Sequence, residues 1–161
     1  MLSALNFENF RGFRKEKLDF SKLNFFIGQN NSGKSSVISC INLLAQTITQ
    51  NSGDSSFLLR GQFDDLGTFN DVVYKHNPRS IIKIGFESDT YIYNYEFKYS
   101  SNSKQTSVRQ MRVVKKANNK EIFYYDTQKS IRSHRYLGKS YSDIIKDIPK
   151  ASDRFKENIP L

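Results

Sequence analysis

The sequence predicts an α/β lobe in which one strand–loop–helix unit is flanked by an antiparallel β-sheet. Three observations carry this reading. Leu23 to Ile27 is a compact apolar run ending at Gly28, the pattern of a buried central strand that feeds a loop. From Lys34 onward, Val37, Ile38, Ile41, Leu44, Ala45 and Ile48 recur at the spacing of one helical face. Beyond Pro78 the period changes to two. Tyr91, Tyr93, Tyr95, Phe97 and Tyr99 fall on one face of a strand, with Ile92, Asn94, Glu96 and Lys98 on the other.

The remaining elements follow in order. Leu2 to Phe10 alternates loosely and reads as a strand, RGFRKEK as a short charged turn, and Leu18 to Phe20 as a second short strand. The long helix is expected to stop near QNSGDSS, a polar loop punctuated by Gly53. Phe57 to Val73, with Gly61, Gly67 and the pair Asp64 and Asp65, reads as a loop holding one short helix or strand. Ile81 to Glu87 is expected as a strand that turns through Ser88–Thr90 into the tyrosine strand. Val108 to Val114 and Ile122 to Tyr125 form a second hairpin through KKANNK. The division expected is a lobe over residues 1–129 and a basic, poorly structured or helical segment over 130–161.

Composition sets outer bounds. With 161 residues, 37% hydrophobic and 14% aromatic, the chain can bury a core of one domain or of one lobe of a larger one. Its single cysteine, Cys40, cannot pair within the chain, which fits a reducing, cytoplasmic setting. No apolar run approaches the ~20 residues of a membrane helix, so no membrane partner is expected. The net charge of +9 is placed unevenly: residues 98–161 carry 15 Lys+Arg against 6 Asp+Glu, and residues 1–97 are balanced. Such asymmetry points to an anionic partner, nucleic acid first, or to a solvated basic surface.

The chemistry lies in Gly28-Gln29-Asn30-Asn31-Ser32-Gly33-Lys34-Ser35, which matches GxxxxGK[ST] and is followed by Ser36. A polyphosphate needs several converging backbone N–H groups, and the loop must curl around it. Gly28 and Gly33 allow the backbone angles and close approach that this requires. A helix starting near Lys34 aims its free N–H groups and positive dipole end at the phosphates. Lys34 supplies a point charge, and the Ser35 hydroxyl suits Mg²⁺. The motif therefore predicts nucleotide binding. GTP is disfavoured, because no Asn/Thr-Lys-x-Asp segment appears.

NFENFRGF…LDFSKLNFFIGQNNSGKSSVISCINLL resembles the N-terminal lobe of ABC-type ATPases of the SMC, RecF and OLD group. Those proteins open with a strand carrying an NF+xF pattern, here Asn9 to Phe13, then a short strand and the loop. The Asn-Asn-Ser interior of the loop and the segment LLRGQFDDLGTFNDVVYKHN also resemble the OLD-like members, the AAA-family ATPases. The resemblance covers Met1 to roughly Tyr99. It implies an ATP·Mg²⁺ ligand and places Arg11 near the phosphates, with an exposed turn arginine as the alternative. It offers Gln62, or Arg60 or Asp65, for metal and γ-phosphate sensing, against a plain loop residue. It also implies ATP-gated dimerisation coupled to DNA repair or phage defence.

The parts for hydrolysis are not recognisable. The nearest stretch to an apolar strand ending in Asp-Glu is IIKIGFESD, which reads better as an antiparallel strand. No LSGG-like signature appears, so hydrolysis by this chain alone is not expected, and the chain reads as the first lobe of a longer ATPase. His76 and His134 lie 58 residues apart without ligand-spaced partners and read as structural. The tyrosine strand is sheet core or a base-stacking platform. A basic hairpin presenting Arg109, Arg112, Lys115, Lys116 and Lys120 would suit phosphate-backbone contact. The rival to the ATPase reading is a non-hydrolysing nucleic-acid or protein binding module that uses this basic half.

Overall fold

The structure is a computed structural model, and it describes residues 1–50 and 58–127. Its body is a six-stranded, wholly antiparallel sheet of order β2-β1-β3-β4-β5-β6. The strands are β1 (Ala4–Phe10), β2 (Phe13–Asp19), β3 (Ile82–Glu87), β4 (Tyr91–Ser100), β5 (Gln105–Lys115) and β6 (Lys120–Asp126). Among the described residues two α-helices accompany them, the long α1 (Lys34–Gln50) and the single-turn α2 (Phe69–Val72).

Register explains the core. Across the sheet, Leu5, Phe86, Tyr93, Val113 and Phe123 form one row, and Phe7, Ile84, Tyr95, Met111 and Tyr125 the next. Ile82, Phe97 and Val108 form a third. These side chains share one face because alternate residues point the same way. They join one cluster with Val37, Cys40, Leu43 and Leu44 of α1 and with Phe69, Val72 and Val73. The tyrosine strand is thus core: Tyr93 and Tyr95 are buried, and Phe86 stacks on Tyr93 at 4.4 Å. Each such ring or aliphatic chain, fully buried, contributes about 1.5–3 kcal/mol.

The opposite face is polar. Glu8, Lys83, Glu96 and Gln110 lie in one row, Asn6, Gly85, Asn94 and Arg112 in the next. Lys83 lies 3.8 Å from both Glu8 and Glu96. A register shift between Glu96 and Phe97 leaves Arg109 as an extra residue on β5, and its guanidinium meets Glu96 at 2.7 Å. Bulges re-aim side chains in this way.

Three expectations need correction. The α/β expectation holds only in part, because every strand pairing in the described residues is antiparallel and only one long helix forms. Leu23 to Ile27 is not a strand. It has no ladder partner among the described residues, and Leu23, Phe25 and Ile27 are 71%, 77% and 92% exposed. An apolar run becomes a strand only when neighbours supply its hydrogen bonds, and this run pairs with none of the six strands. RGFRKEK is not all turn: β2 begins at Phe13, so Arg14 to Lys17 are strand. A charged sequence is stable there because β2 is an edge, where exposed charges also block edge-to-edge pairing. Segment 130–161 and residues 51–57 lie outside the described residues.

Helix α1 also packs on a slightly different face from the one its apolar spacing suggests. Val37, Cys40, Leu43, Leu44 and Thr47 are buried, whereas Ile38 is 49% exposed. Cys40 is fully enclosed, and burial pushes its thiol well up, which makes it an inert core residue.

Candidate nucleotide-binding site

The first intrahelical bond of α1 runs from the Val37 N–H to the Gly33 carbonyl at 3.1 Å. The N–H groups of Lys34, Ser35 and Ser36 therefore start the helix with no intrahelical acceptor. They sit at the positive end of the helix dipole. Before them the chain curls. Asn31 and Gly33 take positive φ, at 66° and 93°, and the Ser32 N–H donates to the Gln29 carbonyl at 3.2 Å. Gly28 faces Ser32 so closely that a Cβ there would lie 2.7 Å from the Ser32 Oγ.

Lys34 turns back into this curl. Its Nζ donates to the carbonyls of Gly28 at 2.7 Å and Gln29 at 2.6 Å, and lies 3.4 Å from the Ser32 Oγ. The structure thus brings Gly28, Gln29, Ser32, Gly33 and Lys34 together as one unit, with Ser35 and Ser36 on the first helical turn. Asn30, Asn31 and Ser35 are exposed. The arrangement can hold an anion: amides without an intrahelical acceptor lie beside an ammonium, and no carboxylate among the described residues takes part in the contacts of the loop.

The turn between β1 and β2 lies against the same loop. The Phe13 ring sits where a side chain on Gly33 would project, 2.2 Å from the position of a Cβ. Asn9 near the end of β1 and Arg11 in the turn take positive φ. The Arg11 N–H donates to the Val72 carbonyl at 2.6 Å, and the Asn9 amide nitrogen donates to the Ile81 carbonyl at 2.9 Å. Arg11 is thereby carried, half-buried, two residues from the ring that touches the loop.

Gln62 belongs to a different assembly. Arg60 and Asp65 bridge to make a small hairpin with Gln62 and Phe63 at its tip. Gln46 of α1 fastens that hairpin. Its fully buried side chain donates to the Leu58 carbonyl at 2.5 Å and accepts from the Asp64 N–H at 3.1 Å. Gln46 lies twelve residues beyond Lys34, about 18 Å along the helix axis. The Arg60 guanidinium and the Asp65 carboxylate, both exposed, pair at 3.3 Å.

The basic hairpin is more neutral than its sequence suggests. Arg109 meets Glu96, Arg112 meets Glu121 at 2.6 Å, and Lys116 meets Glu87 at 2.8 Å. Lys115 and Lys120 are exposed and face each other across the hairpin, with no ion pair among the described residues. Glu87 also meets Lys17 at 3.3 Å. The Lys116 ammonium, with Lys17 behind it, holds the Glu87 carboxyl below its ordinary range. Asp89 pairs with the N-terminal ammonium at 2.7 Å. Both carboxylates of IIKIGFESD are thus in ion pairs. Glu87 stands opposite Ala4, six residues and about 20 Å up β1 from Phe10. The stretch is an antiparallel strand, as expected. His76 is exposed and its Nδ1 lies 2.7 Å from the Asn70 carbonyl, whereas His134 is outside the described residues. No group of three or more His, Cys, Asp or Glu that could hold a metal occurs among the described residues.

Two structural residues escaped the sequence, Phe13 beside the loop and Gln46 beneath the hairpin. Phe13 reads there as part of a turn, and nothing local signals its contact with Gly33. Gln46 could have been noticed as a polar residue inside an apolar helical stretch.

Comparison with known proteins points to an ATPase family. The family model described as "AAA ATPase domain" matches residues 1–159. The chain is also 45% identical over 47 residues to the DNA replication and repair protein RecF of Lactococcus lactis subsp. lactis (strain IL1403). That match covers 29% of this chain and 13% of the relative, so the two share a short segment of a longer protein. No helix among the described residues is long and apolar enough to cross a membrane. With nearly its whole length matched, the chain belongs to the AAA ATPase domain family of P-loop NTPases, in the group that includes SMC and RecF proteins.

Proposed function

We propose that this chain binds ATP with Mg²⁺ through Gly28, Gln29, Asn30, Asn31, Ser32, Gly33, Lys34, Ser35 and Ser36, as the nucleotide-holding lobe of an ATPase that acts on DNA. The observation that carries the proposal is the position of Lys34. Its ammonium is drawn into the curl by two main-chain carbonyls, beside the free amides of the helix start. Phosphate oxygens are stronger acceptors for an ammonium than neutral carbonyls, so an entering polyphosphate would exchange one set of bonds for a better one. Mg²⁺, when bound, neutralises phosphate charge. Ser35, at the start of α1, would be the side chain that holds it, whereas Gln62 sits on a hairpin fastened to α1 at Gln46, about 18 Å along the axis from Lys34. Arg11 adds a cation from the β1–β2 turn.

Glu87 and Asp89, the carboxylates of the stretch nearest in sequence to an Asp-Glu pair, are held in ion pairs at the far end of the sheet. The role proposed is nucleotide binding, with hydrolysis and pairing into a dimer depending on a partner lobe or a second subunit. DNA repair is favoured as the setting by the likeness to a RecF protein. The reading as a nucleic-acid module is the weaker one, because three of its five basic residues are already matched by carboxylates.

The test is an equilibrium titration of a fluorescent ATP analogue with Mg²⁺ into the wild type, Lys34→Ala and Ser35→Ala. The expected result is saturable binding, weakened at least tenfold by Lys34→Ala, and Mg²⁺ dependence reduced by Ser35→Ala. Equal binding by the wild type and Lys34→Ala would sink the proposal.

A further inference from the structure

We infer that Phe13 is a positioning residue for the phosphate loop. It fixes Gly33, and through Gly33 the curl that ends at Lys34. Gly33 has no side chain, and the structure gives that a use beyond room for phosphate: the Phe13 ring occupies the space. A Cβ on Gly33 would lie 2.2 Å from Cζ and 2.8 Å from Cε2 of that ring. No real Cβ contact is so short, so the glycine and the ring are paired choices. The φ of Gly33, 93°, is one that L side chains rarely adopt, so the ring also backs the loop where its backbone is least restrained by its own chemistry.

The ring itself is firmly held. It meets Phe7 edge-on at 5.2 Å, and Phe7 is only 2% exposed. Phe13 pairs in register with the buried Phe10, which bridges to Val73. The intervening turn is tied down at Val72 by the Arg11 N–H and at Ile81 by the Asn9 side chain. A continuous chain of contacts therefore runs from the sheet core through Phe7 and Phe13 to Gly33.

The other flank of the loop is held more loosely, by an edge-on contact of Phe26 with Phe20 at 6.3 Å. Leu23 to Ile27 runs into Gly28 exposed and without a strand partner among the described residues. The loop is thus fixed by α1 on one side and by Phe13 over its last glycine. Holding the amides in place before a ligand arrives removes an ordering cost from binding. The consequence for ligand affinity rests on the nucleotide reading above, but the positioning of the loop does not.

Phe13→Leu keeps the apolar volume and removes the ring, and Phe13→Tyr restores the ring. NMR of the wild type is expected to show the Gly33 Hα protons displaced by the ring current. Phe13→Leu is expected to abolish that displacement and speed exchange of the Ser32 amide, and Phe13→Tyr to retain both features. Affinity for the fluorescent ATP analogue is expected to fall about tenfold in Phe13→Leu and to recover in Phe13→Tyr. The inference is overturned if wild-type Gly33 shows no ring-current displacement. It is also overturned if Phe13→Leu leaves both Ser32 exchange and affinity unchanged. If the wild type binds no nucleotide while Ser32 exchange still depends on the ring, the positioning stands and the nucleotide reading is what fails.

Discussion

Gln46 offers a measurable test of how the hairpin bearing Gln62 is attached. The perturbation is Gln46→Leu, which keeps the shape of the side chain and removes its amide. Gln46 is fully buried, and its two bonds, to the Leu58 carbonyl and from the Asp64 N–H, are among those that tie residues 58–65 to α1. Each such bond contributes about 0.5–1.5 kcal/mol net, and a partner left unsatisfied in a buried place costs about 1–3 kcal/mol. The two partners here are only part-buried and can recover some hydration, which favours the lower figures. A loss of about 2 kcal/mol follows for Gln46→Leu. Gln46→Ala should lose more, because it also opens a cavity beneath Gly61, whose backbone packs on Gln46. At about 2–4 °C per kcal/mol for a chain of this size, thermal unfolding by circular dichroism should fall by about 4–8 °C for Gln46→Leu. A melting temperature within about 1 °C of wild type would refute the reasoning, since the two bonds would then carry no net weight.

Further predictions follow from the same physical terms. Gly33→Ala should destabilise by about 2 kcal/mol or more from its backbone angle and its clash with Phe13, and the double variant with Phe13→Ala should recover the part due to the clash; chemical denaturation of all three measures it. Glu87 has a lowered folded-state pKa, so its pairing with Lys116 and Lys17 adds stability above the ordinary carboxylate range that is lost as pH falls through the folded value. Glu87→Gln should therefore lower the denaturation midpoint at neutral pH, with the difference vanishing in acid. Phe25→Lys with Ile27→Lys should change stability by no more than about 0.5 kcal/mol, because both side chains are exposed, and should raise solubility in light-scattering assays. Any DNA binding should weaken more in Lys115→Ala with Lys120→Ala than in Arg109→Ala with Arg112→Ala, read as salt-dependent affinity, because only the first pair is not already matched by carboxylates among the described residues.

Local patterns were the legible part of the fold. The loop, helix α1 and strands β3 to β6 follow from spacing and turn residues within a few positions of each other. What failed was what depends on distant neighbours. Leu23 to Ile27 has the composition of a central strand, but a strand exists only where other strands supply its bonds, and composition does not say whether they do. The charged stretch Arg14 to Lys17 hid an edge strand, because solvent on one side removes the apolar alternation that marks an interior one. The charge count overstated the free basic surface of the hairpin from Arg109 to Lys120. The acidic partners Glu87 and Glu96 lie in the balanced first half of the sequence and reach Lys116 and Arg109 only through cross-strand register and a bulge. In the candidate site, the motif marked the residues that curl into the loop, and the contact of Phe13 on Gly33 appears only in three dimensions.

The most direct measurement is an amide NMR titration of the ¹⁵N-labelled chain with ATP and Mg²⁺. The account predicts shifts concentrated at Gly28 to Ser36, with a smaller response at Arg11 and Phe13, all absent in Lys34→Ala. Shifts confined to Arg109 to Lys120, or none in the loop at saturating nucleotide, would contradict it.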